Sequence, residues 1–198
     1  VILFMFIAGA NFTLHFRALS GNLKGYIRDS EFLTYFGIIM IATLLIFINV
    51  TSQNNNWSHD SYLSSLFQTV SIITTTGYGT ADYELWPFFS QFLIIILMFV
   101  GGMGGSTGGG MKVARVILLI KFAATETRRM LHSRAIIPIR IGSRFISEDV
   151  IRNTLGFFLI YISIFTFTTL TLTLLNLDFE SAFGAAASAI GNIGPGLG

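Results

Sequence analysis

The sequence has 198 residues, of which 53% are hydrophobic and only 11% are charged. A soluble domain carries about a quarter charged residues, so this composition excludes an ordinary soluble protein and indicates an integral membrane protein. The chain contains no cysteine, which excludes disulfides, thiolate metal sites and a thiol nucleophile. The formal net charge is only +2, and its distribution along the chain is more informative than its size.

The first residues read as the end of one structural unit. Residues 1–14 are apolar and are predicted to be the tail of a membrane-spanning helix, followed by a basic connection that completes the segment 1–31. Because the chain opens inside an apolar run and ends in a glycine-rich loop, we expect it to be a piece of a larger protein. Residues 32–50 contain no charged residue and match the length of about 20 residues that spans a bilayer as a helix.

A short apolar segment then replaces the expected second span. Residues 61–73, SYLSSLFQTVSII, reach only about 20 Å as a helix, which is too short to cross a membrane. This length predicts a re-entrant half-helix with Ser58 or Asp60 as its N-cap. The following residues 74–80, TTTGYGT, are predicted to return outward as non-helical backbone. Such backbone is stable at membrane depth only where it lines water or is enclosed by protein.

The next apolar stretch, residues 86–122, is interrupted by GGMGGSTGGG at 101–110, in which seven of ten residues are glycine. A glycine in a helix interior costs about 1 kcal/mol, so this stretch predicts a broken span. Close packing of small residues is one interpretation, and an unwound loop that gates a pore is the one we favour. Lys112 follows directly, and a charge at membrane depth is usually functional, with snorkelling to the cytoplasm as the alternative. The predicted gate residues are Gly108, Gly109, Gly110 and Lys112.

The remaining residues form a basic connection over 123–152 and a further unit over 153–198, which opens with an uncharged span at 154–175. All twelve lysines and arginines lie in or close to 15–31 and 121–152, so the positive-inside rule predicts that these two connections are cytoplasmic. A basic surface beside a span predicts contact with membrane lipid or a docking protein, and we expect no nucleic acid. The other connections carry acids and no lysine or arginine, namely Asp60, Asp82, Glu84, Asp178 and Glu180.

The end of the chain repeats the half-helix and its loop. Shifting the sequence by 117 positions places Ser71 on Ser188 and Gly77 on Gly194. Residues 178–198 are therefore predicted to be a second half-helix and glycine loop. The chain then holds one complete unit of span, half-helix, loop and span, and a second unit without its last helix. Repeats of this kind usually surround one axis.

The two glycine loops have the composition of an ion filter. A desolvated cation needs several oxygens in place of its water, and loops of the type T-x-G-Y-G supply backbone carbonyls for this purpose in potassium filters. A glycine-rich extracellular turn is the alternative, which the half-helix, the flanking spans and the second copy disfavour. The histidines have no ligand-spaced partners, so we expect no metal site other than for potassium and no enzyme. The predicted potassium ligands are Thr75, Thr76, Gly77 and Tyr78 in the first loop and Asn192, Ile193 and Gly194 in the second.

The motifs TTTGYGT, GGSTGGGMKVARV and SAIGNIGPGLG resemble the third filter, the broken helix and the fourth filter of the bacterial TrkH/KtrB potassium-transporter family. The resemblance covers essentially the whole chain. It implies an all-α membrane protein with four span–filter–span repeats around a central pore, of which this chain holds the end of the second repeat, the third, and the start of the fourth. Pro195 at the position equivalent to Tyr78 departs from a symmetric filter because proline has no amide donor.

The resemblance also implies a biological setting. It implies potassium as the bound and transported ion, the bacterial inner membrane as the location, a homodimer, and a cytosolic nucleotide-binding regulatory subunit such as TrkA or KtrA. Two alternatives stay open from the residues themselves. One is a subunit of a tetrameric potassium channel, which two unequal filters in one chain argue against, and the other is a membrane scaffold or receptor that does not transport.

Overall fold

The computed structural model describes residues 1–54, 58–131, 138–142 and 144–198, and these are mostly helical. A 3-10 turn lies at Tyr83–Leu85, and a two-stranded antiparallel ribbon pairs β1 (Arg140–Ile141) with β2 (Arg144–Phe145). The predicted all-α membrane fold is confirmed, and this ribbon is the one β element in the described part of the chain. The helices are α1 (Ile2–Ala8), α2 (Phe12–Leu19), α3 (Lys24–Arg28), α4 (Ser30–Asn54), α5 (His59–Ile73), α6 (Phe88–Val100), α7 (Val113–Leu131), α8 (Glu148–Leu174) and α9 (Phe179–Gly191).

Among the described residues, two helices are long and apolar enough to cross a membrane, namely α4 over Ser30–Gln53 and α8. Both begin earlier than the uncharged segments predicted from the sequence. In α4 the Asp29 carboxylate accepts a hydrogen bond from the Phe32 amide at 2.9 Å and so supplies the helix start. In α8 the first turn carries Glu148 and Asp149, and negative charge at a helix N-terminus is favourable.

The opening segment differs from the predicted tail over residues 1–14. Helix α1 ends at Ala8, and α2 leaves it at an angle of 104°. The bend has a local cause, because the Asn11 side chain caps α2 by accepting a hydrogen bond from the Thr13 amide at 2.7 Å. The bend also leaves backbone groups between the two helices free for partners elsewhere in the chain.

Helices α5 and α9 have the lengths of half-helices. Ser58, one of the two N-cap candidates, caps α5 by accepting from the Ser61 amide at 3.1 Å, and Asp178 caps α9 in the same way. Helix α5 packs between α4 and α6, whereas α9 packs on α8 and on α6. Helix α6 therefore lies between the two half-helices and joins the units in one core. The fully buried residues of this core include Tyr35, Ile39, Ile46, Ile72, Ile73, Ile94 and Met98.

The broken span consists of α6, a non-helical segment over residues 101–112 that we call the central loop, and α7. Helix α7 runs to Leu131, so the predicted connection over 123–152 begins as helix rather than as loop. Its last turn carries Arg128 and Arg129, and positive charge there stabilises a helix C-terminus.

Candidate functional site

The two glycine loops leave their half-helices through the same backbone conformation. We call residues 74–80 the first loop and residues 192–198 the second loop. Thr75 and Asn192, which the 117-residue shift superimposes, have φ values of 55° and 56°. Few residues other than glycine adopt this left-handed conformation, so its occurrence at both positions shows that the internal repeat extends to the backbone. Gly77 and Gly194, the equivalent pair two residues further on, also have positive φ, at 75° and 113°.

Equivalent hydrogen bonds hold both turns. The Thr76 amide donates to the Ser71 carbonyl at 2.9 Å, and the Ile193 amide donates to the Ser188 carbonyl at 3.0 Å. These bonds use carbonyls of the last helical turn, which have no partner within the helix itself. Both half-helices therefore end with the negative pole of the helix dipole directed toward the start of a loop.

The first and second loops lie against each other. A Cβ atom added to Gly77 would overlap the Ile193 carbonyl oxygen and lie 3.0 Å from Cδ of Pro195. The Tyr83 hydroxyl, which follows the first loop, donates to the Gly196 carbonyl at 2.6 Å. Burial raises the pKa of Tyr83 to about 12, so this hydroxyl stays protonated and remains a donor at neutral pH. The structure thus brings the two predicted filters together.

Polar side chains of α5 form hydrogen bonds with backbone carbonyls in and just after the first loop. The Ser71 hydroxyl donates to the Tyr78 carbonyl at 2.7 Å, and the buried Gln68 amide donates to the Ala81 carbonyl at 2.6 Å. The Tyr78 side chain itself is 60% exposed. The sequence pattern singled out neither Gln68 nor this use of Ser71. The available signal was the presence of two polar residues on the buried end of an apolar half-helix.

The second loop uses its serine differently. The Ser188 hydroxyl accepts a hydrogen bond from the Gly194 amide at 3.1 Å, whereas the equivalent Ser71 donates to a carbonyl. Pro195 stands where the first loop has Tyr78. The two loops are consequently alike at their first turn and unlike beyond it.

The central loop packs directly against the turns of both half-helices. The Gly109 amide donates to the Thr75 hydroxyl at 2.6 Å, and a Cβ atom on Gly108 would lie 3.0 Å from the Thr74 carbonyl oxygen. A Cβ atom on Gly109 would also overlap the Gly191 carbonyl oxygen at the end of α9. The structure therefore places the predicted gate glycines next to the predicted filters.

The conformation of the central loop depends on glycine. Gly101, Gly105 and Gly110 have φ values of 69°, 72° and 64°, in the left-handed region that glycine adopts at little cost. The Val113 amide donates to the Gly102 carbonyl at 3.0 Å and so closes the base of the loop, where α6 ends and α7 begins.

Two charged side chains hold the central loop. One carboxylate oxygen of Glu31 accepts hydrogen bonds from the Gly104 amide at 2.6 Å and from the Ala114 amide at 3.1 Å. The Lys112 ammonium donates to the Gly108 carbonyl, so this side chain turns into the loop rather than away from it. Nothing in the sequence pattern singled out Glu31, because a lone acid at the start of a span resembles an ordinary member of the preceding polar connection.

The bend between α1 and α2 binds the other side of the central loop. The Met103 amide donates to the Gly9 carbonyl at 2.9 Å, and the Phe12 amide donates to the Gly105 carbonyl at 3.1 Å. Backbone groups buried away from water need such partners. The bend therefore provides hydrogen-bond partners for backbone groups of the central loop that have no partner within a helix.

The acids of the predicted outer connections are exposed side chains. Hydrogen bonds from the Ser181 hydroxyl and amide lower the pKa of Asp178, so this carboxylate is ionised at neutral pH. Within the described ranges, no group of three or more His, Asp or Glu residues is arranged to hold a metal ion. Residues 74–80 and 192–198 contain no Asp, Glu or His, and the oxygens that they carry are backbone carbonyls, hydroxyls and the Asn192 amide oxygen.

Comparison with known proteins decides the family. Residues 1–198, the whole chain, match the TrkH family, described as "Cation transport protein". The chain belongs to this family. The resemblance expected from the three motifs is thereby confirmed, and so is the prediction that the chain is not an enzyme, because the family is one of transport proteins.

Relatives of this TrkH-family chain include Trk system potassium uptake proteins. The Trk system potassium uptake protein TrkH of Vibrio parahaemolyticus is 39% identical over 201 residues, which are 100% of this chain and 41% of that protein. TrkH of Escherichia coli is 37% identical over 210 residues, with the same shares covered. The crystal structure of the potassium transporter TrkH from Vibrio parahaemolyticus superimposes with a TM-score of 0.92 at 38% identity, over 100% of this chain and 43% of that one. The chain thus spans about two fifths of the length of these relatives.

Proposed function

We propose that this chain is part of a membrane protein that carries potassium, in which the first and second loops contribute to a selectivity filter and the central loop is the gate. One observation supports this proposal most strongly: the central loop donates a hydrogen bond to Thr75 at the very turn where the first loop begins. The names of the relatives, which are potassium uptake proteins, support potassium as the transported ion.

The proposed filter uses backbone carbonyls to replace the water around potassium. In the first loop the carbonyls of Thr75, Thr76 and Gly77 are the proposed ligands, and the Tyr78 carbonyl keeps one lone pair beyond its bond from Ser71. In the second loop the proposed ligands are the carbonyls of Asn192, Ile193 and Gly194. The C-terminal ends of α5 and α9 add partial negative charge at the start of each loop.

The filter is proposed to be asymmetric. Only one of the two equivalent serines donates to a loop carbonyl, so the carbonyls beyond the first turn are held differently in the two loops. Four equivalent rings of oxygens are therefore not expected. We infer a potassium-over-sodium preference looser than that of a filter built from identical loops.

The proposed gate obstructs the ion path at rest. The central loop touches the turns of both loops through Gly108 and Gly109, and Lys112 adds a positive charge that disfavours a passing cation. Movement of the loop breaks the bond between Gly109 and Thr75, and glycine makes such movement easy because it adopts many backbone conformations.

The proposed setting follows the family. We place the protein in the bacterial inner membrane as a homodimer that contacts lipid, with residues 15–31 and 121–152 on the cytoplasmic side. A cytosolic nucleotide-binding subunit of the TrkA or KtrA type is the proposed regulator, and the basic 121–152 region is its proposed point of attachment. The family match favours neither a tetrameric channel subunit nor a scaffold that does not transport.

Ion flux in liposomes tests the proposal. The full-length protein that contains this chain is reconstituted, and potassium and sodium fluxes are measured across the same vesicles. The proposal predicts potassium flux that exceeds sodium flux and that requires the protein. Vesicles with correctly inserted protein that pass neither ion, both with the central loop intact and with Gly108–Gly110 deleted, would overturn the proposal in favour of a scaffold.

A further inference from the structure

The Glu31 carboxylate connects the central loop to the helix that follows it, α7. Its bonds lead to Gly104, inside the loop, and to Ala114, in the first turn of α7. Amides in the first turn of a helix have no partner within the helix, and a carboxylate at this position also matches the positive pole of the helix dipole. A single oxygen atom therefore joins the middle of the loop to α7, in addition to the bond from Val113 to Gly102 at the base of the loop.

Helix α4 does not need Glu31 for its own start. The start of α4 is already capped by Asp29, which accepts from the Phe32 amide at 2.9 Å. The Glu31 side chain instead crosses to segments that lie 73 and 83 positions away in the sequence. Burying part of a carboxylate is unfavourable unless hydrogen bonds compensate for the lost water, so this placement indicates a role in the loop rather than in α4.

We propose that Glu31 is a positioning residue of the gate, which latches the central loop in its resting conformation. This inference depends on the proposed function, because it assumes that the loop obstructs the ion path. Any displacement of the loop relative to α7 breaks at least one of the two hydrogen bonds to Glu31. Removing the carboxylate lowers the free energy of the displaced loop relative to the resting one, whereas the first and second loops keep their own hydrogen bonds.

Three substitutions separate the effects of charge, hydrogen bonding and folding. Glu31→Gln keeps an acceptor oxygen in nearly the same place but removes the charge, and Glu31→Ala removes both. Asp149→Ala is the matched control, because Asp149 is an exposed acid in the first turn of another helix, α8. Hydrogen bonds to charged groups are strong enough that Glu31→Ala should raise resting flux about tenfold or more, with Glu31→Gln between it and the parent.

The first measurement is potassium flux per correctly folded molecule in liposomes, without any regulatory subunit, together with the potassium-to-sodium flux ratio. The proposal predicts higher resting flux in Glu31→Ala, an unchanged ratio, and no change in Asp149→Ala. Unchanged or lower flux per folded molecule in both Glu31 variants would overturn it. A purely structural role would instead lower the yield of folded protein without raising the flux of the remainder.

A second measurement does not depend on transport. Thr107 is an exposed residue of the central loop. Thr107→Cys is introduced into full-length protein whose other cysteines are removed. The rate at which a water-soluble thiol reagent modifies this cysteine then reports the exposure of the loop. The proposal predicts faster modification when Glu31→Gln is added, and equal rates would contradict the latch. If neither the parent protein nor the Gly108–Gly110 deletion shows flux but the modification rates differ, the proposed function fails, and Glu31 is left as a residue that fixes the central loop without gating an ion path.

Discussion

Replacing Gly77 with serine tests the filter at its most constrained position. Gly77 has a φ of 75°, where an L-residue is less stable than glycine by about 1–2 kcal/mol. The new Cβ would also overlap the Ile193 carbonyl oxygen, and a backbone atom cannot move aside as the end of a flexible side chain can. The substitution therefore disturbs both loops at once.

The expected loss of ion selectivity follows from the backbone strain at Gly77. A change of about 1.4 kcal/mol corresponds to a factor of ten in an equilibrium constant. We therefore expect the potassium-over-sodium permeability ratio of Gly77→Ser to fall by about tenfold, because conformations without inward carbonyls become populated. The ratio is measured by liposome flux of the full-length protein, at equal amounts of inserted protein.

Two further glycines provide matched comparisons. Gly194 has a φ of 113°, farther from the left-handed region than Gly77, and among the described residues no atom lies within 4 Å of an added Cβ. Gly194→Ser should therefore lower the ratio in the same direction, through backbone strain in the second loop alone. Gly37→Ser, in the span α4 and likewise in open space, should leave it unchanged. An unchanged ratio in Gly77→Ser, or an equal loss in Gly37→Ser, would refute the reasoning.

Three more predictions concern the outer face, the gate and the contact between the loops. Neutralising the exposed outer acids together should reduce potassium uptake at low potassium, and less so at high salt, since screening shortens electrostatic reach to about 8 Å at physiological ionic strength; a salt-independent effect would contradict this. Deleting Gly108–Gly110 removes the bond from Gly109 to Thr75 and should raise flux at unchanged ion preference; equal flux would favour a packing role, and lost preference would mean that the loop supports the filter. Tyr83→Phe removes the donor to Gly196 and should destabilise the protein by about 1 kcal/mol, which an unchanged thermal midpoint in detergent would disprove. The acids to neutralise are Asp60, Asp82, Glu84, Asp178 and Glu180.

Local sequence patterns were sufficient to locate the elements of the site. Span length, the cap at Ser58 and the glycine content of residues 101–110 are properties of neighbouring residues, and each predicts a structure by itself. The 117-residue repeat extended the prediction of a half-helix and loop to the second unit. The matching φ values of Thr75 and Asn192 show that the repeat holds at the level of single dihedral angles.

The contacts between elements were beyond such patterns. Glu31 meets the central loop across 73 positions, and Tyr83 meets the second loop across 113; no local periodicity encodes either pairing. The bend between α1 and α2 is a related case. The apolar run over residues 1–14 looks continuous, but the Asn11 cap ends it, and the released Gly9 carbonyl binds the central loop.

The central claim is that carbonyls of the two loops bind a dehydrated potassium ion. The most direct test is an experimental structure of the full-length protein prepared with rubidium or thallium in place of potassium, with anomalous scattering used to locate the ion. The account predicts an anomalous peak between the two loops, within coordination distance of the carbonyls of Thr75–Gly77 and Asn192–Gly194. Well-ordered density for both loops without such a peak would contradict the account. A peak bound only by carboxylates at the outer face would contradict it as well.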